Sequence, residues 1–169
     1  MTEILSQEIL WQWIGFIALA IAFFAFKETD DRKLLIYLAA CSAVWSVHFW
    51  LLGLVAAAGI NAFDIAKNLI GLRYKKNVYW ICFFIASYII IGIVSYSYTE
   101  KLISFLPTIS SVLWTVWVIY FHGVIMRLFL ISTLFIWLWY NIIWWSIAGI
   151  SSDIVLIWAT LYGIYKLKK

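Results

Sequence analysis

Few side chains in this sequence carry polar chemistry, and the densest group is Asn61, Asp64, Lys67 and Asn68. Spacings of three, four and seven put Asn61, Asp64 and Asn68 on one face of a helix, with Lys67 beside them. The flanking residues are apolar on both sides. If lipid surrounds such a helix, an ionised group near the bilayer centre costs at least about 2.5–3.5 kcal/mol, so the face must turn to protein or to a wet cavity. Two chemistries fit. Asp64 and Lys67 pair while the asparagines tie helices together, or the four residues form the wall of a ligand or ion site.

Four further residues invite the same question. His48 lies in Trp45-Ser46-Val47-His48-Phe49-Trp50, near the end of an apolar run. It reads as a hydrogen-bonded structural histidine or as the rim of a site. Tyr140 and Asn141 close a later run, and Asp153 follows Ser151-Ser152 at the start of the last one. Asn141 alone would be interhelical glue, and Asp153 alone would complement a helix N-terminus. Together they suggest an opposite wall of Tyr140, Asn141 and Asp153 facing Asp64, with His48 at the outer rim. Gln12, Pro107-Thr108 and Ser110-Ser111 fall at similar depth. Of the deeper tryptophans, Trp45, Trp114, Trp117, Trp137, Trp139 and Trp158, most are expected to pack and one or two to flank a cavity. Tyr120, His122 and Arg127 read as anchors at a loop. His48, Asp64 and Asp153 could share a metal only if the fold brought them together, and no spacing fixes that, so no metal or cofactor is expected. No H-E-x-x-H, G-x-S-x-G, cysteine cluster or phosphate-binding glycine loop occurs, and no enzyme is expected.

These residues need positioning elements, and composition says which kind. Of 169 residues, 66% are hydrophobic, 20% aromatic and 12% charged, and the mean hydropathy is +1.00. A soluble domain carries about twice that charge, so a soluble enzyme, a nucleic-acid binder and a disordered chain are excluded. Unbroken apolar runs near the length of a membrane span argue against a β-barrel. The fold class expected is all-α, a polytopic membrane protein with seven transmembrane helices at about 9–26, 34–52, 57–75, 78–96, 102–121, 124–146 and 151–167. Residues 34–72 cannot be one helix. At 1.5 Å per residue they would reach roughly 58 Å across a hydrocarbon core of about 30 Å, so they fold back between Gly53 and Gly59. Met1-Thr2-Glu3 lacks the basic start of a cleaved signal, so the first run is expected to stay. Cys41 and Cys82 lie inside apolar runs and read as inert thiols.

Charge sets the expected orientation. With the N-terminus outside, the inner loops and C-terminus receive Lys27, Arg32, Lys33, Arg73, Lys75, Lys76, Arg127, Lys166, Lys168 and Lys169, and the outer side receives Lys101 alone. That asymmetry predicts N-out and C-in. It also places His48, Asn61, Asp64, Asn141 and Asp153 in the outer half or at the midplane, so a cavity would be polar toward the outside. An odd number of spans allows two parallel three-helix units joined by a linking helix, three plus one plus three. Sparse echoes at an offset of 92 agree with it: Gly15 with Pro107, Trp45 with Trp137, Gly71 with Gly163.

From end to end the chain resembles the YgjV-type bacterial inner-membrane proteins. The resemblance rests on Lys27 to Lys33, His48-Phe-Trp-Leu-Leu-Gly53, Asn61 to Asn68, Leu106-Pro107, Arg127, Trp139-Tyr140-Asn141, Ser146, Gly149 and Asp153. Where an Arg-Asn pair is expected in the third span, the chain has Lys67-Asn68, keeping the charge and losing the guanidinium fork. This resemblance implies a bacterial inner-membrane location and transfers no catalytic or binding residues. In topology the chain is also similar to the SWEET-like carriers and the nicotinamide riboside permeases. That similarity implies a small-solute carrier or facilitator with a central site. With no Pro-Gln dipeptide and Pro107 the sole proline, the proline-hinged rocking of the sugar carriers is not expected. The expected partners are therefore the lipid bilayer and a small polar or planar solute, with no nucleic acid. The alternative is a non-transporting membrane scaffold or interaction protein whose buried polar residues only staple helices.

Overall fold

A computed structural model of the chain describes residues 2–74, 77–99 and 102–168. The described residues form seven α-helices: α1 (Thr2–Lys27), α2 (Asp31–Leu51), α3 (Val55–Gly71), α4 (Val78–Thr99), α5 (Phe105–Tyr120), α6 (Gly123–Ile143) and α7 (Ile147–Leu167). One 3-10 turn, Leu102–Ser104, leads into α5. Four helical stretches are long and apolar enough to cross a membrane: Asp31–Leu51, Val78–Ser97, Gly123–Ile143 and Ile147–Leu167. Helix α3 is shorter and interrupts its apolar sequence with Asp64 and Lys67.

Contacts between helices close a ring. Helix α1 packs on α2 and α7, α2 on α3, α3 on α5, α5 on α6, and α6 on α7, while α4 lies outside against α3 and α5. Ala18, Ala22 and Ala25 bring α1 close to its neighbours, since a stripe of small side chains lets helix backbones approach. The distribution of polarity is the reverse of a water-soluble protein. Lys67, Asn68 and Arg127 are buried, whereas Trp139, Trp158 and the aliphatic face of α4 point outward. Such an outer surface suits lipid, because a soluble monomer rarely exposes broad apolar patches.

The offset of 92 recurs in the backbone. Helices α2 and α6 have 21 residues each and begin 92 positions apart, as α3 and α7 also begin. The turns between them repeat bond for bond. Leu52, Gly53 and Leu54 donate to the carbonyls of His48, Trp50 and Phe49, and Trp144, Trp145 and Ser146 donate to those of Tyr140, Ile142 and Asn141. Both are helix C-terminal turns that need one left-handed residue. Gly53 takes it at φ 74°, and Trp145, the equivalent residue, takes it at φ 52°. In the second turn Ser146 also caps α7 by accepting the Gly149 N–H.

Several helix limits differ from the hydropathy reading. Helix α6 ends at Ile143 and α7 begins at Ile147, not Ser151. The hydropathy reading starts the last helix at Ser151 and leaves Ile147 to Ile150 to the loop. Ile147 to Ile150 instead form the first turn of α7, and Ser151-Ser152-Asp153 lie in its second turn, with Ser152 and Asp153 facing the interior. Likewise α3 covers Val55–Gly71 rather than 57–75, and Leu72 to Tyr74 lie beyond it, because the N–H groups of Arg73 and Tyr74 both turn back onto the Ile70 carbonyl.

Candidate functional site

A cavity of about 110 Å³ lies inside the ring. Helix α3 contributes Asn61, Asp64 and Asn68, α6 contributes Thr133 and Asn141, and α7 contributes Ser152 and Asp153. At the other end of the cavity Ala22, Phe26, Leu38 and Leu130 form an apolar floor. Polarity therefore concentrates toward the end of the bundle that carries the Gly53 and Trp145 turns. Many lining residues are 92 positions apart, among them Trp45 with Trp137, Phe49 with Asn141, and Asn61 with Asp153. The cavity thus lies where the two halves of the repeat meet.

Asp64 and Lys67 sit one helical turn apart and form an ion pair, with Lys67 completely buried. The same Asp64 oxygen, Oδ1, accepts the hydroxyl of Tyr88 from α4. Lys67 Nζ also lies 5.4 Å from the Tyr88 ring centre, within cation–π range. Lys67 stands behind Asp64 and does not line the cavity, whereas Asp64 does. Across the cavity Asn141 donates to Asp153 Oδ2 at 2.8 Å. Asn61 donates to the Ala57 carbonyl of its own helix at 2.8 Å.

Three polar atoms on the cavity wall are buried without a hydrogen-bond partner among the described residues: Asn68 Oδ1, Asn141 Oδ1 and Ser152 Oγ. Leaving a buried polar group unpaired costs roughly 1–3 kcal/mol, so orphans that share one cavity mark a place where a solute or water belongs.

The structure brings Asn61, Asp64, Asn68, Asn141 and Asp153 to this cavity, with Lys67 behind them. His48 and Tyr140 lie elsewhere. His48 is fully buried between α1, α2 and α7. Its Nδ1 is 2.8 Å from the Trp11 carbonyl and its Nε2 is 3.3 Å from Ser146 Oγ. A carbonyl only accepts, so Nδ1 carries the proton and Nε2 receives the serine hydroxyl. His48 thus staples three helices and has no nitrogen left for a metal or a solute. Tyr140 borders a separate hollow of about 770 Å³ between α3 and α4, lined by aliphatic residues apart from Ser95, Tyr140 and Trp144. It is larger than the central cavity, yet carries no charged group.

Several residues of the site escaped sequence reasoning. Phe49 stacks between Trp45 and Trp137, at 5.4 Å and 5.7 Å between ring centres, forming a three-ring wall from α2 and α6. Ser152 was named only as the neighbour of Asp153 at the expected start of the last helix. Tyr88 had one available signal, its place in the middle of an apolar segment rather than at an end where tyrosines gather. The deep tryptophans divide: Trp45, Trp114 and Trp137 line the cavity, Trp117 stacks on Phe129 at 4.7 Å, and Trp139 and Trp158 face outward.

Arg127 is more than a loop anchor. Its guanidinium is buried and donates to Asp31 Oδ1 at 3.2 Å, the Glu28 carbonyl at 2.8 Å and the Gly123 carbonyl at 3.1 Å. It joins the α1–α2 loop to the start of α6, closing the apolar end of the bundle. The Glu28 carboxylate accepts the Asp30 and Thr29 N–H groups, which hold it below the usual carboxylate range and fix the turn that aims its carbonyl at Arg127.

Gly149 makes room for the polar wall. A Cβ at this position would overlap the Asn141 amide. Gly149→Ala is expected to destabilise the protein by about 1–3 kcal/mol through overpacking, while displacing Asn141 from Asp153. Gly59→Ala, where a Cβ meets only Ile91 at 3.9 Å, should be neutral or stabilising, since alanine favours a helix by about 1 kcal/mol. Thermal melts of the two purified variants beside wild type check this.

Over residues 9–169 the chain matches the Imp-YgjV family, described as a bacterial inner membrane protein. The chain belongs to that family. As a member of Imp-YgjV it is a bacterial inner-membrane protein, which accounts for the apolar exterior of the helices. No curated protein and no solved structure matches it.

Proposed function

We propose that this protein carries or facilitates the passage of a small polar solute through the central cavity. In this reading all seven helices cross the membrane, N-terminus outside and C-terminus in the cytoplasm. Helices α1–α3 and α5–α7 are parallel units, with α4 as the link that lets both units point the same way. The basic residues on one side of that threading support the orientation. The 92-residue register and the ring of contacts support the two units. In plan this resembles the SWEET-like carriers and nicotinamide riboside permeases, an analogy of topology alone. The protein is non-enzymatic and needs no cofactor.

The observation that carries the reading is the group of unpaired atoms on Asn68, Asn141 and Ser152 around a cavity between the units. One fact favours the alternative of a non-transporting scaffold: Lys67 and Tyr88 already donate to Asp64 Oδ1 without a solute. A scaffold, however, would gain nothing from leaving the neighbouring groups unpaired.

A thermal-stability screen of the purified protein against sugars, nucleosides, vitamins, amino acids and ions tests this, with wild type and Asp64→Asn side by side. A ligand at a hundred times its Kd adds about 2.7 kcal/mol to the native state. A shift in wild type that Asp64→Asn loses is the expected result. No shift across the panel, with Asp64→Asn itself strongly destabilised, would favour the scaffold.

A further inference from the structure

We infer that the cavity takes a small organic cation of the guanidinium or alkylammonium class. This rests on the cavity being a solute site and names the class it accepts.

The charge balance leads there. Two carboxylates, Asp64 and Asp153, line the cavity. Asp64 is balanced by Lys67 at its Oδ1, and its Oδ2 makes no hydrogen bond among the described residues. Asp153 is 5% exposed, and its one hydrogen bond among the described residues comes from the neutral Asn141 amide. The other buried cation, Arg127, is bound to Asp31 and two carbonyls at the apolar end. With Lys67 paired to Asp64, Asp153 is the one carboxylate of the cavity with no cation beside it among the described residues. A buried carboxylate is costly unless paired, so an entering cation meets a partner that the protein has withheld from water.

The unpaired atoms point the same way. Asn68 and Asn141, both nine-tenths or more buried, offer carbonyl oxygens, and Ser152 a hydroxyl that also accepts. Acceptors and carboxylates together suit a ligand with several N–H donors. An anion would find no free cation among the described lining residues.

Shape narrows the class further. Trp45, Phe49 and Trp137 border the same space, with the Phe49 ring stacked between the two indoles. Aromatic faces attract organic cations, and a planar guanidinium can stack on a ring while its N–H fork binds a carboxylate. At about 110 Å³ the cavity is smaller than the cavity of roughly 150 Å³ that holds benzene, which limits the ligand to a few heavy atoms.

The test is calorimetric titration of the purified full-length protein with guanidinium, methylammonium, potassium and urea, at matched ionic strength and low millimolar concentration. Urea is the neutral isostere of guanidinium. Guanidinium should bind on the order of tenfold more tightly than urea, and Asp153→Asn should erase that preference, in line with the strength of charge-assisted bonds. The preference is read in wild type alone, so it stands as a test even if the variant misfolds. Equal binding of guanidinium and urea, as when Asp153 simply holds a proton, overturns the inference. So does the absence of binding, or potassium binding as tightly as guanidinium. Uptake of labelled guanidinium into proteoliposomes separates the two ideas. Binding without uptake removes the carrier reading and keeps the cation site, whereas uptake of a neutral solute without guanidinium binding removes the cation site alone.

Discussion

Replacing Arg127 by leucine is expected to cost roughly 3–5 kcal/mol and to lower the melting temperature and yield more than any other single change at the ends of the bundle. The magnitude is that of removing one partner from a buried, hydrogen-bonded charge pair. Three donations disappear at once, to Asp31, Glu28 and Gly123, and the carbonyl of Glu28 is left facing an apolar side chain. Arg127→Lys keeps the charge but cannot reach three acceptors with a planar fork, so it should fall between leucine and wild type. Arg32→Gln, at an exposed residue of the first turn of α2, should stay within about 0.5 kcal/mol. Melting curves of the four proteins in one detergent measure the series. A wild-type melting temperature for Arg127→Leu would show that this end of the bundle does not depend on the staple.

The second large effect concerns the Asp64–Lys67 pair. Lys67→Met should destabilise by about 3–5 kcal/mol, because it strands the Asp64 carboxylate in a buried position with only the Tyr88 hydroxyl to support it. The double variant Asp64→Asn with Lys67→Met removes both charges and should regain most of that loss, since a neutral replacement of a buried pair is often harmless. Stability and ligand response should then separate. The double variant should melt near wild type and show no ligand-dependent shift, because Asp64 faces the cavity. Recovery of both stability and ligand response would assign the pair a purely structural role.

The extent to which the sequence reveals this molecule depends on what each signal measures. Hydropathy sees the lipid-facing majority of each helix, so the seven helices and the Gly53 reversal were legible. It fails at the start of α7, where Ile147 to Ile150 are helical, because a one-dimensional average cannot tell the first turn of a helix from the loop before it. The Asn61 to Asn68 face was legible for the opposite reason: four polar residues at helical spacing stand out against an apolar background. His48 was ambiguous because the same residue type serves as staple or rim, and only its distances to the Trp11 carbonyl and Ser146 decide for staple. Arg127 looked like an ordinary basic residue at a helix start. Two of its three acceptors, Asp31 and Glu28, lie 96 and 99 positions away along the chain, beyond any local pattern. Phe49 was indistinguishable from packing until its rings were seen to join Trp45 and Trp137 across the repeat.

Whether the cavity is reached from water is the claim on which the account depends, and a ligand need not be known to test it. Ser152→Cys, in a background with Cys41 and Cys82 changed to alanine, places one thiol on the cavity wall. In intact membranes the small reagent 2-aminoethyl methanethiosulfonate should modify this thiol, and Asp153→Asn should slow the reaction by weakening the pull on its ammonium group. A thiol that stays unmodified in the membrane, yet reacts fully once the protein is unfolded in detergent, would mean a sealed bundle and contradict the account.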